Sequence, residues 1–414
     1  VTDPTPRWQQ RYRTPVVGFP TWSRHAPDHL VYVSSESGIY QLHSWDVATG
    51  ERHQITHEPV GLVSGEVSAD GEWVLWHRDT TGDESGTWMA APFVGGSPEP
   101  FAEGLPSGWD DGLAPGLQRT VAGISDMHGF AIYVTELDGT TRRLRQSPDS
   151  ILLGGSNAMV RGGTELAALS ADERLLAVEH GEHGDLIHSA LRILDARTGA
   201  IVADLEDPGR ELVAFAWSPV PGDERLAIGH ERRGERAPAI WEPRTGTVTD
   251  LVLPWDHLTE VVDWWPDGSA VLIAELDGGR HRLHRYDLAG ARITTLATRP
   301  GSMTGARVRP DGSVWYRLQT GEHPGVLLQV GRDEPILAGP PEPARPDGVG
   351  LADRARGQRS LPHPLPYPRR TDLGRPRSLG TRSPGLRRRR LPGGPGELPR
   401  LDRLRRRLAR HPDR

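Results

Sequence analysis

A chain of 414 residues, 36% hydrophobic and 25% charged, is long enough for one large all-β domain with a partner, or for two to three ordinary domains. Zero cysteines exclude disulfides, thiolate metal sites and cysteine nucleophiles together. No apolar run reaches the roughly 18 residues of a membrane span, and the start from Val1 to Trp8 has no basic-then-apolar leader pattern, so the expected location is the cytoplasm and no membrane partner is expected. Charge is divided along the chain. Residues 349–414 hold 19 arginines against five acids, a formal +14, which leaves −20 on the remainder. So acidic a main segment speaks against a specific nucleic-acid partner.

In chain order, a turn signature recurs ahead of an apolar strand: Trp22-Ser23 with Pro27-Asp28, Ser68-Ala69-Asp70-Gly71, Leu169-Ser170-Ala171-Asp172-Glu173, Trp217-Ser218-Pro219 with Gly222-Asp223, Trp264-Trp265-Pro266-Asp267-Gly268, and Arg309-Pro310-Asp311-Gly312. A second signature closes the following hairpin in Asp46 to Gly50, Asp195 to Gly199, Trp241 to Gly246 and Asp287 to Gly290. Starts at 22, 68, 170, 218, 265 and 310 give steps of 46, 102, 48, 47 and 45. The double step leaves room for a degenerate unit near 117–145, where Phe130 to Val134 reads as a strand before Asp138-Gly139. Asp-Gly supplies the positive φ that tight hairpins need. Short strands at this period are the signature of a propeller, whose four-stranded blades leave only short edges. The expected fold is therefore all-β: a seven-bladed β-propeller over residues 21–345, with 1–20 as an N-terminal segment and no helix within the blades. Trp73, Trp76, Trp217, Trp264, Trp265 and Trp315 sit on or beside strand starts, where large rings fill the gaps between blades.

Several stretches resemble the propeller of the prolyl oligopeptidase family of serine peptidases, in its acylaminoacyl and dipeptidyl peptidase branch. They are Gly82 to Met89, Gly104 to Trp109, Leu169 to Ala177, Glu179 to Asp185 and Ala216 to Ile228, within a resemblance covering roughly residues 8–340. It implies a propeller lying over a C-terminal α/β-hydrolase domain and limiting access to the catalytic serine, with short peptides as substrates. The implied chemistry is acylation and deacylation of that serine with a His base and an Asp orienter.

The chain departs from the family beyond residue 345. No Gly-x-Ser-x-Gly elbow occurs anywhere in it, and the nearest approach, Gly82 to Gly86, has the wrong spacing. No catalytic, cofactor-binding or metal residue is assigned, and no cofactor is expected. Residues 351–414 contain no Val, Ile, Phe, Trp or Met. So poor a segment cannot bury enough apolar surface to offset chain entropy, and 346–414 is expected to be a disordered basic tail. Its composition is that of GC-rich DNA read out of frame. Codons compatible with Gly396 to Arg405, read one base later, encode Val-Asn-Tyr-Arg-Gly-Ser-Thr-Gly-Tyr. Pro366 to Gly374 in the same shift yields Arg-Thr-His-Gly-Gly-Pro-Thr-Trp. Both resemble hydrolase-domain motifs of the family, in family order.

Two polar clusters were weighed as sites. Glu179-His180-Gly181-Glu182-His183-Gly184-Asp185, with His188, has metal-like density but reads better as a polar loop at a channel rim. Glu231 to Arg236 reads as a solvated hairpin tip. Outside the peptidase reading, the alternatives are a stand-alone propeller serving as a protein-interaction scaffold, and a nucleic-acid binder using its basic tail.

Overall fold

The strand content follows from the alternation of apolar residues between turns. The computed structural model describes residues 14–156, 164–321 and 323–339; residues 1–13 and the whole tail expected from 346 onward lie outside these. The strands run in antiparallel meanders, taken in sequence order in all but one sheet. The first sheet holds β1 (Thr21–Trp22), β2 (His29–Ser34), β3 (Gln41–Asp46) and β4 (Arg52–Gln54). An eight-stranded sheet follows. It joins β5 (Glu66–Val67), β6 (Trp73–Asp79), β7 (Ser85–Pro92) and β8 (Glu99–Pro100) to β9 (Gly108–Pro115), β10 (Arg119–Asp126), β11 (Gly129–Glu136) and β12 (Thr141–Ser147). Only two residue pairs, Ser85 with Trp109 and Gly86 with Gly108, connect its halves.

The next three sheets have four strands each. They are β13 (Ile151–Leu153), β14 (Leu175–His180), β15 (Ala190–Asp195) and β16 (Ile201–Leu205); β17 (Leu212–Trp217), β18 (Leu226–His230), β19 (Ala237–Glu242) and β20 (Thr247–Asp250); and β21 (Leu258–Trp264), β22 (Ala270–Asp277), β23 (Arg280–Asp287) and β24 (Arg292–Thr295). The last sheet has three, β25 (Ser302–Val308), β26 (Val314–Gln319) and β27 (Val326–Gln329), with a single bridge from Leu327 to Leu337 at its edge. The protein is thus nearly all β. Among the described residues it differs from expectation in one five-residue helix, α1 (Thr164–Ala168), between β13 and β14. Its buried Ala167 and Ala168 let the turn pack against the strands, with Ala167 lying where a side chain on Gly154 or Gly155 would stand.

The turn signatures lie where the sequence places them, between the first and second strands of a sheet. Glu173 is the exception. It occupies the glycine position of its turn with φ 56°, a conformation costing a side chain about 1–2 kcal/mol. Its carboxylate accepts the backbone N–H groups of Leu117 (2.6 Å), Gln118 (2.9 Å) and Arg119 (3.2 Å), while the Arg119 guanidinium donates to the Glu173 carbonyl (2.6 Å). One strained residue therefore clamps the β9–β10 turn to the neighbouring sheet.

Neighbouring sheets pack face to face through buried aromatic and aliphatic side chains. Trp217 and Trp264 are fully buried, and each indole N–H donates to a carbonyl of the preceding sheet or its helix, at Ala168 (3.1 Å) and Ala216 (3.0 Å). The first and last sheets meet in the same way. The Arg307 guanidinium donates to the Trp22 carbonyl (2.9 Å), Arg309 donates to Pro27 and Asp28, and Arg317 donates to Val17. The Trp22 and Trp45 rings lie 6.0 and 6.1 Å from that of Trp315.

Connections fall into two groups. Turns between first and second, and third and fourth, strands form a turn end. Links between second and third strands, and from sheet to sheet, form a link end, held together by bonds such as Leu212 N to Ser189 O and Thr259 N to Arg236 O.

Glu173→Gly tests the clamp. The substitution relieves about 1–2 kcal/mol of backbone strain but removes three amide hydrogen bonds to a carboxylate, a type worth about 1.5–3 kcal/mol each. We expect a lower urea midpoint than wild type; an unchanged or higher midpoint would show that strain outweighs the clamp.

Candidate functional site

The titratable residues read as clusters in the sequence gather at the link end, but not as the sequence alone suggests. Glu179 and His180 are the last residues of β14, and strand alternation turns them to opposite faces. Glu179 is 1% exposed and accepts the N–H groups of Gly155 (3.1 Å) and Ala214 (3.0 Å), so it ties the β13–β16 sheet to the β17–β20 sheet. With Ser150, Leu152, Asp185, Leu186 and Glu211 it lines a cavity of about 160 Å³. Leu186 and Ile187, beside it, are 74% and 81% exposed.

On the other face, neither nitrogen of the buried His180 makes a hydrogen bond; Asp204 stands 3.9 Å away. Burial, then the charge of Arg192, pushes its pKa down to about 4, so the ring is neutral at physiological pH. Glu182 is occupied by Arg145 (2.6 Å) and by Arg192. Asp185 pairs with His188 at 2.7 Å. Both acids thus have basic partners.

Glu231 to Arg236 departs from the solvated tip expected of it at its last residue. Arg232 and Arg233 reach Asp207 (3.0 Å) and Asp250 (3.1 Å) near the surface. Arg236, by contrast, is nearly buried between Glu211 (2.5 Å) and Glu260 (2.6 Å), where Glu260 is 1% exposed. It joins the sheet-to-sheet link before β17 to strand β21.

Two further groups were not singled out in the sequence. Asp111, on β9, has its Oδ2 buried without a hydrogen bond, and burial pushes its pKa up to about 6 against the lowering effect of Ser125. The signal was an Asp-Asp-Gly stretch inside a strand, where an acid needs a reason. Among the described residues, the grouping able to hold a metal is His257, Glu275 and Asp277. Strand register brings it together, since Thr259 pairs with Glu275 and places His257 opposite Asp277.

The two perturbed groups have opposite linkage to stability. Between about pH 4 and 6.5 the unfolded chain binds a proton at His180 that the folded chain does not, so stability falls as pH drops through this window. Asp111 is the reverse: its folded form holds the proton up to about pH 6, so stability is lost as pH rises through the window. We expect His180→Leu to flatten the acid-side loss of the urea midpoint, and Asp111→Asn to raise the midpoint at pH 8 with little effect at pH 4. Parallel wild-type and variant curves across pH 4–8 would contradict both assignments.

No family model matches the sequence, and no curated protein matches it. Solved structures do. A prolyl endopeptidase, described with its inter-domain dynamics in catalysis and specificity, superposes with a TM-score of 0.58 at 12% identity over 77% of this chain and 48% of that one. The β-propeller domain of the Trilobed protease from Pyrococcus furiosus, described as an open velcro topology, superposes with 0.56 at 12% identity over 79% and 96%. An oligogalacturonate lyase in complex with manganese superposes with 0.57 at 13% identity over 77% and 90%. The chain thus spans about half the length of the prolyl endopeptidase it matches, and what it shares with all three is their fold, among them the propeller domains of proteases.

Proposed function

We propose that residues 21–345 form a seven-bladed β-propeller that gates substrate for a prolyl oligopeptidase-type serine peptidase, admitting short peptides to a hydrolase domain. In this reading the eight-stranded sheet is two blades bridged by a two-pair contact, and the last blade completes itself at the Leu327–Leu337 bridge. Among the described residues, the ring closes by packing of the last sheet on the first, through Arg307, Arg309, Arg317 and the Trp22–Trp315 contact. The likeness to a prolyl endopeptidase and to a protease propeller supports the choice of family. Fold alone never fixes function, and the lyase with a similar fold makes that concrete.

The observation that carries the gating role is the uneven distribution of apolar surface. Among the described residues, twelve large hydrophobic side chains are exposed, and eight of them lie on the link end: Ile39, Tyr40, Val60, Val63, Met127, Leu186, Ile187 and Val252. Apolar surface gathered at one end marks an interaction site. The chain also enters and leaves the described unit there, since a side chain on Gly339 would meet the Pro15 carbonyl at 2.6 Å. A domain covalently continuous with this unit would therefore sit over the same end.

The tail of 346–414 is read as the opening of that hydrolase domain in a shifted frame. The frame-restored protein is expected to carry His-Gly-Gly-Pro and a downstream Gly-x-Ser-x-Gly elbow, to react with a fluorophosphonate probe, and to cleave short peptide reporters but not folded proteins. The chain as it stands is expected to do none of these. A shifted frame that stops at once, or that lacks an elbow, would remove the peptidase reading and leave the protein-interaction scaffold.

A further inference from the structure

We propose that His257, Glu275 and Asp277 form a binding site for one divalent transition-metal ion, with Arg282 as an internal cation that the ion displaces. One ligand atom from each of the three side chains lies within 4.8 Å of the others. The strand pattern dictates this. Glu275 and Asp277 are two residues apart on β22, so both carboxylates stand on one face. His257, in the link before β21, falls opposite Asp277, while Arg282 on β23 falls opposite Glu275.

The group is built as metal sites are, with a fixed ligand and open neighbours. The Glu275 side chain is 3% exposed and its Oε2 accepts the Nε2–H of buried His284 at 2.9 Å. The other His284 nitrogen faces the Thr295 hydroxyl at 3.1 Å, and its ring centroid lies 4.5 Å from that of Trp255. This arrangement sets the orientation of the carboxylate and leaves Oε1 pointing at His257 Nδ1, 2.5 Å away. An outer shell of this kind orients a ligand and sharpens affinity. His257 and Asp277 are partly exposed, at 43% and 38% for their side chains, so they can open to admit the ion and leave room for water ligands.

A cation already occupies the position. Arg282 Nη1 lies 2.9 Å from Asp277 and 3.5 Å from Glu275, so the guanidinium neutralises the two acids where an ion would. Its side chain is 51% exposed and free to swing outward. One imidazole and two carboxylates suit borderline ions such as Zn²⁺ and Mn²⁺, with water in the remaining positions. Magnesium, which favours oxygen ligands and retains its waters, suits the set less.

The arginine makes the proposal testable in two directions. Titration calorimetry of the full chain with zinc chloride and with manganese chloride reads affinity, and the metal-induced rise in melting temperature reads the same linkage independently. Asp277→Asn and His257→Ala are expected to weaken Zn²⁺ binding at least tenfold, in line with the ten- to hundredfold cost of disturbing even outer-shell groups. Arg282→Ala is expected to tighten it, because the competing charge is gone. Melting of each variant without metal confirms that it folds, and the exposed Asp277 and Arg282 positions carry the test if His257→Ala does not. Absence of saturable binding in wild type would overturn the proposal. So would affinities unchanged by Asp277→Asn, or an Arg282→Ala variant that binds more weakly than wild type.

Discussion

The structure depends on one repeated contact, made in four of the sheets where the first strand runs into its turn. A small antiparallel meander is marginal on its own and must bury a face against a neighbour. What fixes the setting of that neighbour is a polar anchor inside the apolar interface, since leaving a buried donor or acceptor unpaired costs about 1–3 kcal/mol. At Trp217 and Trp264 the anchor is an indole N–H on a carbonyl of the sheet before. The equivalent position in the last sheet is Val308, which has no such group. There the buried Asp263 carboxylate accepts the Val308 amide at 2.9 Å instead. In the first sheet the position is Trp22, and the Arg307 guanidinium of the last sheet reaches its carbonyl. These four equivalent positions thus carry the anchor with three chemistries.

The use of arginine at the junction of the last and first sheets has a physical reason. Consecutive sheets are joined by a short link that limits how far they can separate. The last and first sheets have no such link and must hold by side chains alone. A guanidinium offers five donors in a rigid fork and a flat face for stacking. Arg307 and Arg309 use both, lying 4.3 and 4.9 Å over the Trp22 ring while donating to backbone carbonyls. The cost is desolvation, which lowers the pKa of Arg309 and Arg317. Their hydrogen bonds to Pro27, Asp28 and Val17 offset that cost. Removing Asp28 would take from the buried Arg309 guanidinium its charged acceptor, a costly change for an ion in a protein interior.

Much of this was legible in the sequence because turns and tryptophans are local signals. Asp267-Gly268 and Asp311-Gly312 announce left-handed turns, with φ of 67° and 80° at their glycines, and the tryptophans ahead of such turns announce interfaces. What stayed hidden depends on distant partners. Glu173 reads as a lapse of the turn signature until three amides some 55 residues earlier are seen on its carboxylate. Arg236 reads as one more charge on a hairpin tip until Glu211 and Glu260 enclose it. His257 and Glu275 are 18 residues apart and become neighbours only through the β21–β22 register. The helix Thr164–Ala168 falls in a stretch with no repeat signal, which the even spacing of the other units had no means to foresee.

The same topology explains why the candidate sites share one end of the molecule. At the turn end, acids are consumed by the backbone. Asp46 accepts amides of Ala48 and Thr49, Asp195 those of Arg197 and Thr198, Asp267 that of Ser269, and Asp311 that of Ser313. Turns there are mostly four to six residues long and close on those acids. Connections at the other end run from two residues, at 127–128 and 278–279, to eleven between β4 and β5, and among the acids at that end Glu179 faces a cavity, Glu182 two arginines and Glu275 two imidazoles. The cavity beside Glu179, the ion pairs of Arg236 and the His257 cluster all lie there, together with most of the exposed apolar surface. Substitutions at the turn end should therefore be felt as stability, and substitutions at the link end as binding. Where a binding partner of this fold is sought, the link end is the surface whose chemistry the fold has left uncommitted.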